Sequence, residues 1–380
     1  MIETLRLGVA AALAAGAALG CLYALVCMGA VLLFPRRRIA PETQAEPLTV
    51  LVPLHGDAAG LAERLEALSA QSYESPVQIV CGVQDVADPA AEVVRAFAAE
   101  HTEAEISILA DARTHGLNGK ISNLANIAPL ARYSRIALID GDIVCPKDHL
   151  ARVVGGFTPG VGAVTALYHG VVAGGVWAAL SSLAIDAHFL PSAILASRFR
   201  LAHPCCGATI ALSSETLKRV GGLEAFADTL EDDYALGAAV RGLGLEVAVS
   251  SSVVGHVCAD RTLSELFRRL LRSAQTIQRV DPMGHAGSVL THPLPLSLLA
   301  WAGGQPHAPA LAVAALATRF GLYACVAHVF PIQRQPLWRL AAVDGLAFAV
   351  YLVSFLSRDI YWRGERYRVG PDGRLVSEAE

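Results

Sequence analysis

The sequence predicts an α/β protein built on a doubly wound, mostly parallel sheet, with transmembrane helices at its N-terminal and C-terminal ends. Three observations predict it. Short apolar runs alternate with stretches of helical spacing between about Leu48 and Val280. An uncharged run of 28 residues, Leu7 to Phe34, precedes that region, and apolar runs return after it. The composition is 54% hydrophobic and 17% charged, with a mean hydropathy of +0.46. That is more apolar than a soluble domain and more charged than a bundle made only of spans.

The run Leu7–Phe34 is long enough to cross a hydrocarbon core of ~30 Å. Arg36, Arg37 and Arg38 follow it directly. A signal peptide carries its charge before the apolar stretch, so residues 1–35 read as an uncleaved anchor, with residue 36 onward in the cytosol. Leu48–Pro53, Val77–Val83, Ile106–Leu109 and Ile136–Ile139 read as strands, and Leu61–Ser69 and Ala90–Glu100 as helices between them. Strands separated by helices imply a parallel sheet whose ligands bind outside the carboxyl ends of the strands. A cytosolic domain is expected over residues 45–280. Residues 285–357 read as a C-terminal membrane region. In it Val289–Gly304 is interfacial, and Ala308–Phe330 and Leu337–Leu356 are two spans, the first interrupted by Arg319. An intramembrane arginine is a functional candidate. Residues 358–380 form a basic tail, with Arg358, Arg363, Arg366 and Arg368.

The net charge of −4 and the lack of a basic run interleaved with aromatics give no nucleic-acid signal. Eight cysteines show no CxxC pair and no zinc-like spacing with histidine. They read as reduced thiols rather than a disulfide framework.

The candidate chemistry starts at Ala137–Pro146 (ALIDGDIVCP), where Asp140 and Asp142 flank one glycine at the end of a buried strand. Carboxylates so placed suit a divalent cation, Mg²⁺ or Mn²⁺, that neutralises leaving phosphates. A turn rich in aspartate and glycine has the same composition. Glu231-Asp232-Asp233 groups three carboxylates whose repulsion raises at least one pKa, as a general base needs. The same acids also suit an ordinary helix N-terminus. Lys120 is one of three lysines among 30 basic residues. With Asn123 one turn further, it could reach sugar or phosphate or simply begin a solvated helix. His256 fits either a metal ligand or a surface histidine.

Cys81–Pro89 (CGVQDVADP), Gly119–Leu124 (GKISNL), the D-G-D and Thr229–Tyr234 (TLEDDY) occur in that order. In this the chain resembles the ceramide glucosyltransferases and their bacterial relatives, inverting enzymes with the GT-A fold. The resemblance covers roughly residues 45–280, and Val52–Gly56 (VPLHG) looks like the family's opening strand. It implies that Asp85 contacts the uridine of a UDP-sugar and that Asp140 and Asp142 serve the metal and diphosphate. It further implies that Asp233 is the base, supported by Asp232. Cys205–Thr209 (CCGAT), with Cys206 and Gly207, resembles the segment on the donor-sugar and acceptor side. The family's usual (Q/R)-x-x-R-W is here Arg269–Ser273 (RLLRS). Arg269 and Arg272 keep charge for the diphosphate, while Ser273 replaces the tryptophan and removes an aromatic wall on the acceptor side.

Val289–Pro295 (VLTHPLP) and Asp359–Val369 (DIYWRGERYRV) look most like the hopanoid-biosynthesis branch. That resemblance implies transfer of N-acetylglucosamine from UDP to a hydroxylated hopanoid at a bacterial cell membrane. Ceramide glucosylation from UDP-glucose is the alternative within the family. A non-catalytic lipid- or nucleotide-binding membrane protein is the alternative outside it. The expected partners are a UDP-sugar, a membrane lipid acceptor and the bilayer itself.

Overall fold

The computed structural model describes residues 1–34, 45–56 and 59–356, and the backbone of three strands in the tail. The arginine run 36–38, Arg358 and Arg363 lie outside the described residues, as do the side chains of Arg366 and Arg368. By internal contacts the chain forms two compact units. One holds residues 45–168 and 202–257, and the other holds residues 1–34, 169–201 and 258 onward.

The first unit is built on an eight-stranded sheet. Its strands are β1 (Leu48–Pro53), β2 (Val77–Val83), β3 (Glu105–Ala110), β4 (Arg135–Ile139), β5 (Ile143–Val144), β6 (Val161–Val172), β7 (Thr209–Ser213) and β8 (Glu246–Cys258). The order is β3-β2-β1-β4-β7-β6-β8-β5. The predicted parallel arrangement holds for β3-β2-β1-β4. Beyond β4 the pairings β4–β7, β6–β7 and β5–β8 are antiparallel, so the sheet is mixed.

Both faces of the sheet are covered, which is why its strands read as continuous apolar runs. Alternate side chains divide between two cores. Val50, Val52, Ile79, Cys81, Ala137 and Ile139 pack with Leu61 and Leu65 of helix Leu61–Ser69 and Val94 and Phe97 of helix Pro89–Glu100. Leu51, Val80, Ile136 and Leu138 pack on the other face with Ile121 and Leu124 of helix Gly119–Ile127 and Leu236 and Val240 of helix Asp232–Gly242.

Two consequences of strand direction position the site. Strand β4 ends at Ile139 beside Thr209, the first residue of antiparallel β7. The turn before β7, with Cys206 and Gly207, therefore shares a rim with Asp140. The β5–β8 register pairs Ile143 with His256, which brings that histidine next to Asp142.

The second unit is helical. Ile2–Leu33, Val176–Phe199 and Ala308–Val329 are long and apolar enough to cross a membrane. The first and third match predicted spans. The sequence pattern places Val176–Phe199 in the 45–280 domain, yet it groups with the apolar helices. Asp186 and His188 interrupt its apolar character, and both find polar partners inside the unit. Pro293–Ala302 is a short apolar helix at the expected interfacial segment, and Trp338–Ser354 has 17 residues. The tail forms a three-stranded antiparallel sheet, β9 (Asp359–Trp362), β10 (Glu365–Val369) and β11 (Leu375–Ser377).

Candidate active site

Helix Gly119–Ile127 starts where it does because Asn118 caps it. The Asn118 side-chain oxygen accepts from the N–H groups of Lys120 at 3.0 Å and Ile121 at 3.1 Å. Its amide nitrogen donates to the Thr229 carbonyl at 2.8 Å and to Asp232 Oδ1 at 3.2 Å. Asn118 is fully buried. One side chain thus orients the lysine-bearing helix and holds the acidic segment 229–233 against it. The sequence reading missed Asn118, although an asparagine directly before a helical run is a recognisable cap signal.

Lys120 Nζ lies 2.8 Å from Asp140 Oδ1 and 3.4 Å from Asp232 Oδ2. In this structure Lys120 is the counter-charge of the acid cluster. Burial alone would lower its pKa, but Asp140, Asp232 and Asp233 outweigh burial and raise it. Gly207 is next to this centre. A Cβ there would stand 2.9 Å from Lys120 Nζ, 3.3 Å from Asp140 Oδ2 and 3.4 Å from Asp233 Oδ2. Its N–H donates to Asp233 Oδ2 at 2.8 Å. Cys206 precedes it, buried, its backbone fixed to Thr165 Oγ1 in both directions at 2.8 and 3.1 Å. Burial first, then the Asp233 charge, pushes the Cys206 thiol well up, so it stays protonated.

Burial drives the Asp233 carboxyl up to about 7, helped by the charges of Asp232 and Glu231 and opposed by Lys120 and the Gly207 N–H. Burial likewise pushes Asp140 up to about 6, with Lys120 opposing and Asp142 adding to the rise. Asp142 behaves differently. Burial works to raise it, but His256 and Lys120 override burial and hold it below the usual carboxylate range. His256 Nδ1 is 3.3 Å from Asp142 Oδ2, and its ring meets Tyr168 edge-on at 5.4 Å.

The donor chemistry suits a hard divalent cation. Asp142 Oδ1 is buried with no hydrogen-bond partner, while the side chain as a whole is about half exposed (49%). Carboxylates outnumber the single ammonium around it. Among the described residues no three acid, imidazole or thiol side chains converge into a closed metal shell. Asp142 and His256 are adjacent, while Asp140 faces Lys120.

Asp85 sits on the turn after β2, exposed, with Oδ1 accepting from the Ala87 N–H at 2.9 Å. Asn123 is buried, and its amide donates to the Leu54 carbonyl at 3.1 Å and the Gly82 carbonyl at 2.8 Å. Its expected reach to the donor is corrected on that ground, because both hydrogens tie down the ends of β1 and β2. Arg269, Arg272 and Ser273 lie on helix Leu263–Val280 in the helical unit. The Arg269 guanidinium, expected to serve the diphosphate, instead grips Asp260 at 3.1 and 2.9 Å and also meets Ser181. Ser273 is exposed and returns its hydroxyl to the Arg269 carbonyl at 3.2 Å.

The fold is shared with a solved glycosyltransferase. The mannosyltransferase PcManGT of Pyrobaculum calidifontis, solved with GDP-Man and Mn²⁺, matches 92% of this chain and 99% of its own at a TM-score of 0.56 and 18% identity. The fold is GT-A-like. The sequence profile of glycosyl transferase family 21 matches residues 12–375, and the chain belongs to that family. Ceramide glucosyltransferase 1 of Caenorhabditis elegans is 23% identical over 246 residues, 62% of this chain. The chain spans about half (50%) the length of that curated relative.

Two outcomes follow from the geometry. Asn123→Ala leaves the Leu54 and Gly82 carbonyls without their donor and should destabilise the protein by roughly 2 kcal/mol. Chemical denaturation reads that loss, and UDP affinity of the folded fraction should stay unchanged. Lys120→Met removes the charge that opposes the rise of Asp233. The alkaline shift in the midpoint of the pH–rate profile should be on the order of one unit, and an unmoved midpoint would separate Lys120 from the acids.

Proposed function

We propose that the protein is an inverting, nucleotide-sugar-dependent hexosyltransferase that glycosylates a hydroxyl of a membrane lipid. The observation that carries this reading is the convergence of Asp140, Asp232 and Asp233 on Lys120 and Gly207. Asp233 takes the proton of the acceptor hydroxyl, whose oxygen bonds to the anomeric carbon as the bond to the nucleotide diphosphate breaks. A carboxyl raised to about 7 is well matched to that task near neutral pH. Asp232, pinned by Asn118 and Lys120, holds the segment in place. Asp142 with His256, and Asp140 beside them, would hold a divalent cation, which supplies charge neutralisation at the departing diphosphate. Asp85 on the same rim is proposed to meet the nucleoside.

The donor is proposed to be UDP-N-acetylglucosamine and the acceptor a hydroxylated hopanoid, on the resemblance of residues 289–295 and 359–369. The similarity to a ceramide glucosyltransferase favours UDP-glucose and ceramide as a second reading. Helices suited to crossing a membrane support a lipid acceptor in either case. The arginines after the first apolar run support a catalytic unit in the cytosol, and a bacterial cell membrane is proposed on the same resemblance as the hopanoid acceptor.

UDP release by purified protein in lipid distinguishes an enzyme from a binding protein. Mass spectrometry of lipids from a deletion strain identifies the acceptor: loss of a hexosaminyl hopanoid is expected, and its persistence rejects the hopanoid reading. Asp142→Asn should abolish the cation dependence of donor binding while the thermal unfolding midpoint stays close to wild type. Full turnover in chelator contradicts the cation assignment. Asp233→Asn should lower turnover ~100-fold or more with donor affinity retained. In the parent protein, activity should rise with pH through about 7, because only the ionised carboxylate accepts a proton. The sign for stability is opposite. A carboxyl raised on folding favours the protonated state, so its contribution declines between about pH 4 and 7. Asp233→Asn should therefore gain stability relative to the parent as pH rises from 5 to 8, read by thermal unfolding at the two values.

A further inference from the structure

The Gly207 N–H reaches Asp233 from a turn, and that turn has a support outside the acid cluster. The turn runs from Cys206 to Thr209, the first residue of β7. Thr165 Oγ1 fixes the Cys206 backbone in both directions, and the Thr209 N–H returns to the Cys206 carbonyl at 3.3 Å. The Thr209 hydroxyl donates to the Ala208 carbonyl at 2.7 Å. These ties hold the Gly207 N–H where it donates to Asp233 Oδ2 at 2.8 Å.

His149 stands behind the last of these ties. It opens the short helix His149–Val154 and is completely buried (0% exposed). Its Nε2 lies 3.1 Å from Thr209 Oγ1, and its Nδ1 lies 2.9 Å from Ser252 Oγ on β8. Thr209 and Ser252 are buried as well. The sheet order places β6 between β7 and β8, so one imidazole links two strands that are not hydrogen-bonded to each other.

Proton counting fixes how the link works. Thr209 has a single hydroxyl hydrogen, and it goes to the Ala208 carbonyl. The Thr209 oxygen therefore accepts from His149, which makes Nε2 the protonated nitrogen. Nδ1 is left to accept the Ser252 hydroxyl hydrogen. With the hydrogen on Nδ1 instead, Nε2 and the Thr209 oxygen would face each other as two acceptors. Burial, opposed by Asp148, pushes the imidazole down to about 4, so the neutral ring persists through neutral pH.

We propose that His149 is a positioning residue for sugar transfer: its Nε2–H sets the Thr209 hydroxyl, which orients the Ala208 peptide and keeps the Gly207 N–H on Asp233. The proposal rests on Asp233 being the base, as assigned above. Lys120, Asp232 and Glu231 act on Asp233 by charge, whereas His149 acts on it through the shape of the turn.

The test uses full-length protein in membrane lipid extract, with UDP release followed from UDP-N-acetylglucosamine and, in parallel, from UDP-glucose. A glutamine amide nitrogen lies as many bonds from Cβ as histidine Nε2, and an asparagine nitrogen as many as Nδ1. His149→Gln keeps a donor toward Thr209 and should hold kcat within about twofold of the parent. His149→Asn reaches only the Ser252 side and should lower kcat about tenfold with donor KM little changed, the size of one hydrogen bond. Thr209→Val keeps the β-branched shape and should match His149→Asn. Joining the two should cost no more than either alone, because both remove the same link. Ser252→Ala should lower the thermal midpoint and leave kcat unchanged. Equal kcat in the glutamine and asparagine variants, additive losses in the double variant, or full activity in Thr209→Val would overturn the proposal and leave His149 a stabilising core residue. Failure of the base assignment is a different result, full turnover in Asp233→Asn.

Discussion

The contact on which the rest of the acidic rim depends is the ammonium of Lys120 between Asp140 and Asp232. These two carboxylates come from different loops, one after β4 and one at the start of helix Asp232–Gly242. Without an intervening cation their repulsion would drive the loops apart. Asn118 adds a second tie, because it caps the helix that carries Lys120 and bonds to Asp232 itself. The pairing is incomplete by design of the charges present. One ammonium faces several acids, and the surplus raises Asp140 and Asp233 once burial has begun to do so.

Close backbone approach makes that density of charge possible. A Cβ at Gly207 would crowd the lysine and two carboxylates, so glycine lets its N–H reach Asp233 without displacing them. Gly141 plays a comparable part between Asp140 and Asp142. A Cβ there would come within 2.6 Å of the Leu54 side chain, and its carbonyl accepts from Arg64 Nε at 2.7 Å. The acid loop is therefore clamped from outside the cluster, and its two carboxylates are free to face different partners.

The helical unit meets the same electrostatic problem in apolar surroundings and answers it by pairing. Arg319 and Asp344 neutralise each other, the Ala187 carbonyl takes a further guanidinium hydrogen, and His188 bridges the two charges. Arg269 and Asp260 form a comparable pair on helix Leu263–Val280 and the segment before it. An isolated charge would be costly in either place, whereas paired charges fix the helices in one register.

The sequence by itself determined the elements whose signal is local. Strands such as Leu48–Pro53 and Val77–Val83 are bounded in the fold as their apolar runs predict, since burial on both faces keeps them apolar apart from Thr49 and Gln78, which hydrogen-bond to each other. The long apolar runs near 7–34 and 308–330 are helices for the same reason. The order of the acidic motifs also identified the family that the whole-chain match establishes. Tertiary structure alone decided strand direction beyond β4, because the hydrophobic pattern of a strand is the same in either direction. It placed Val176–Phe199 with the helical unit, since Asp186 and His188 look incompatible with an apolar helix until their partners Gly170 and Asp344 are in view. It also turned Asn123 and Arg269 from expected ligands into fixtures of the fold, and made Lys120 the centre of the acids. Those assignments depend on which charges and carbonyls lie within about 3 Å, and that distance is set by sheet register and loop closure between residues as much as 114 positions apart.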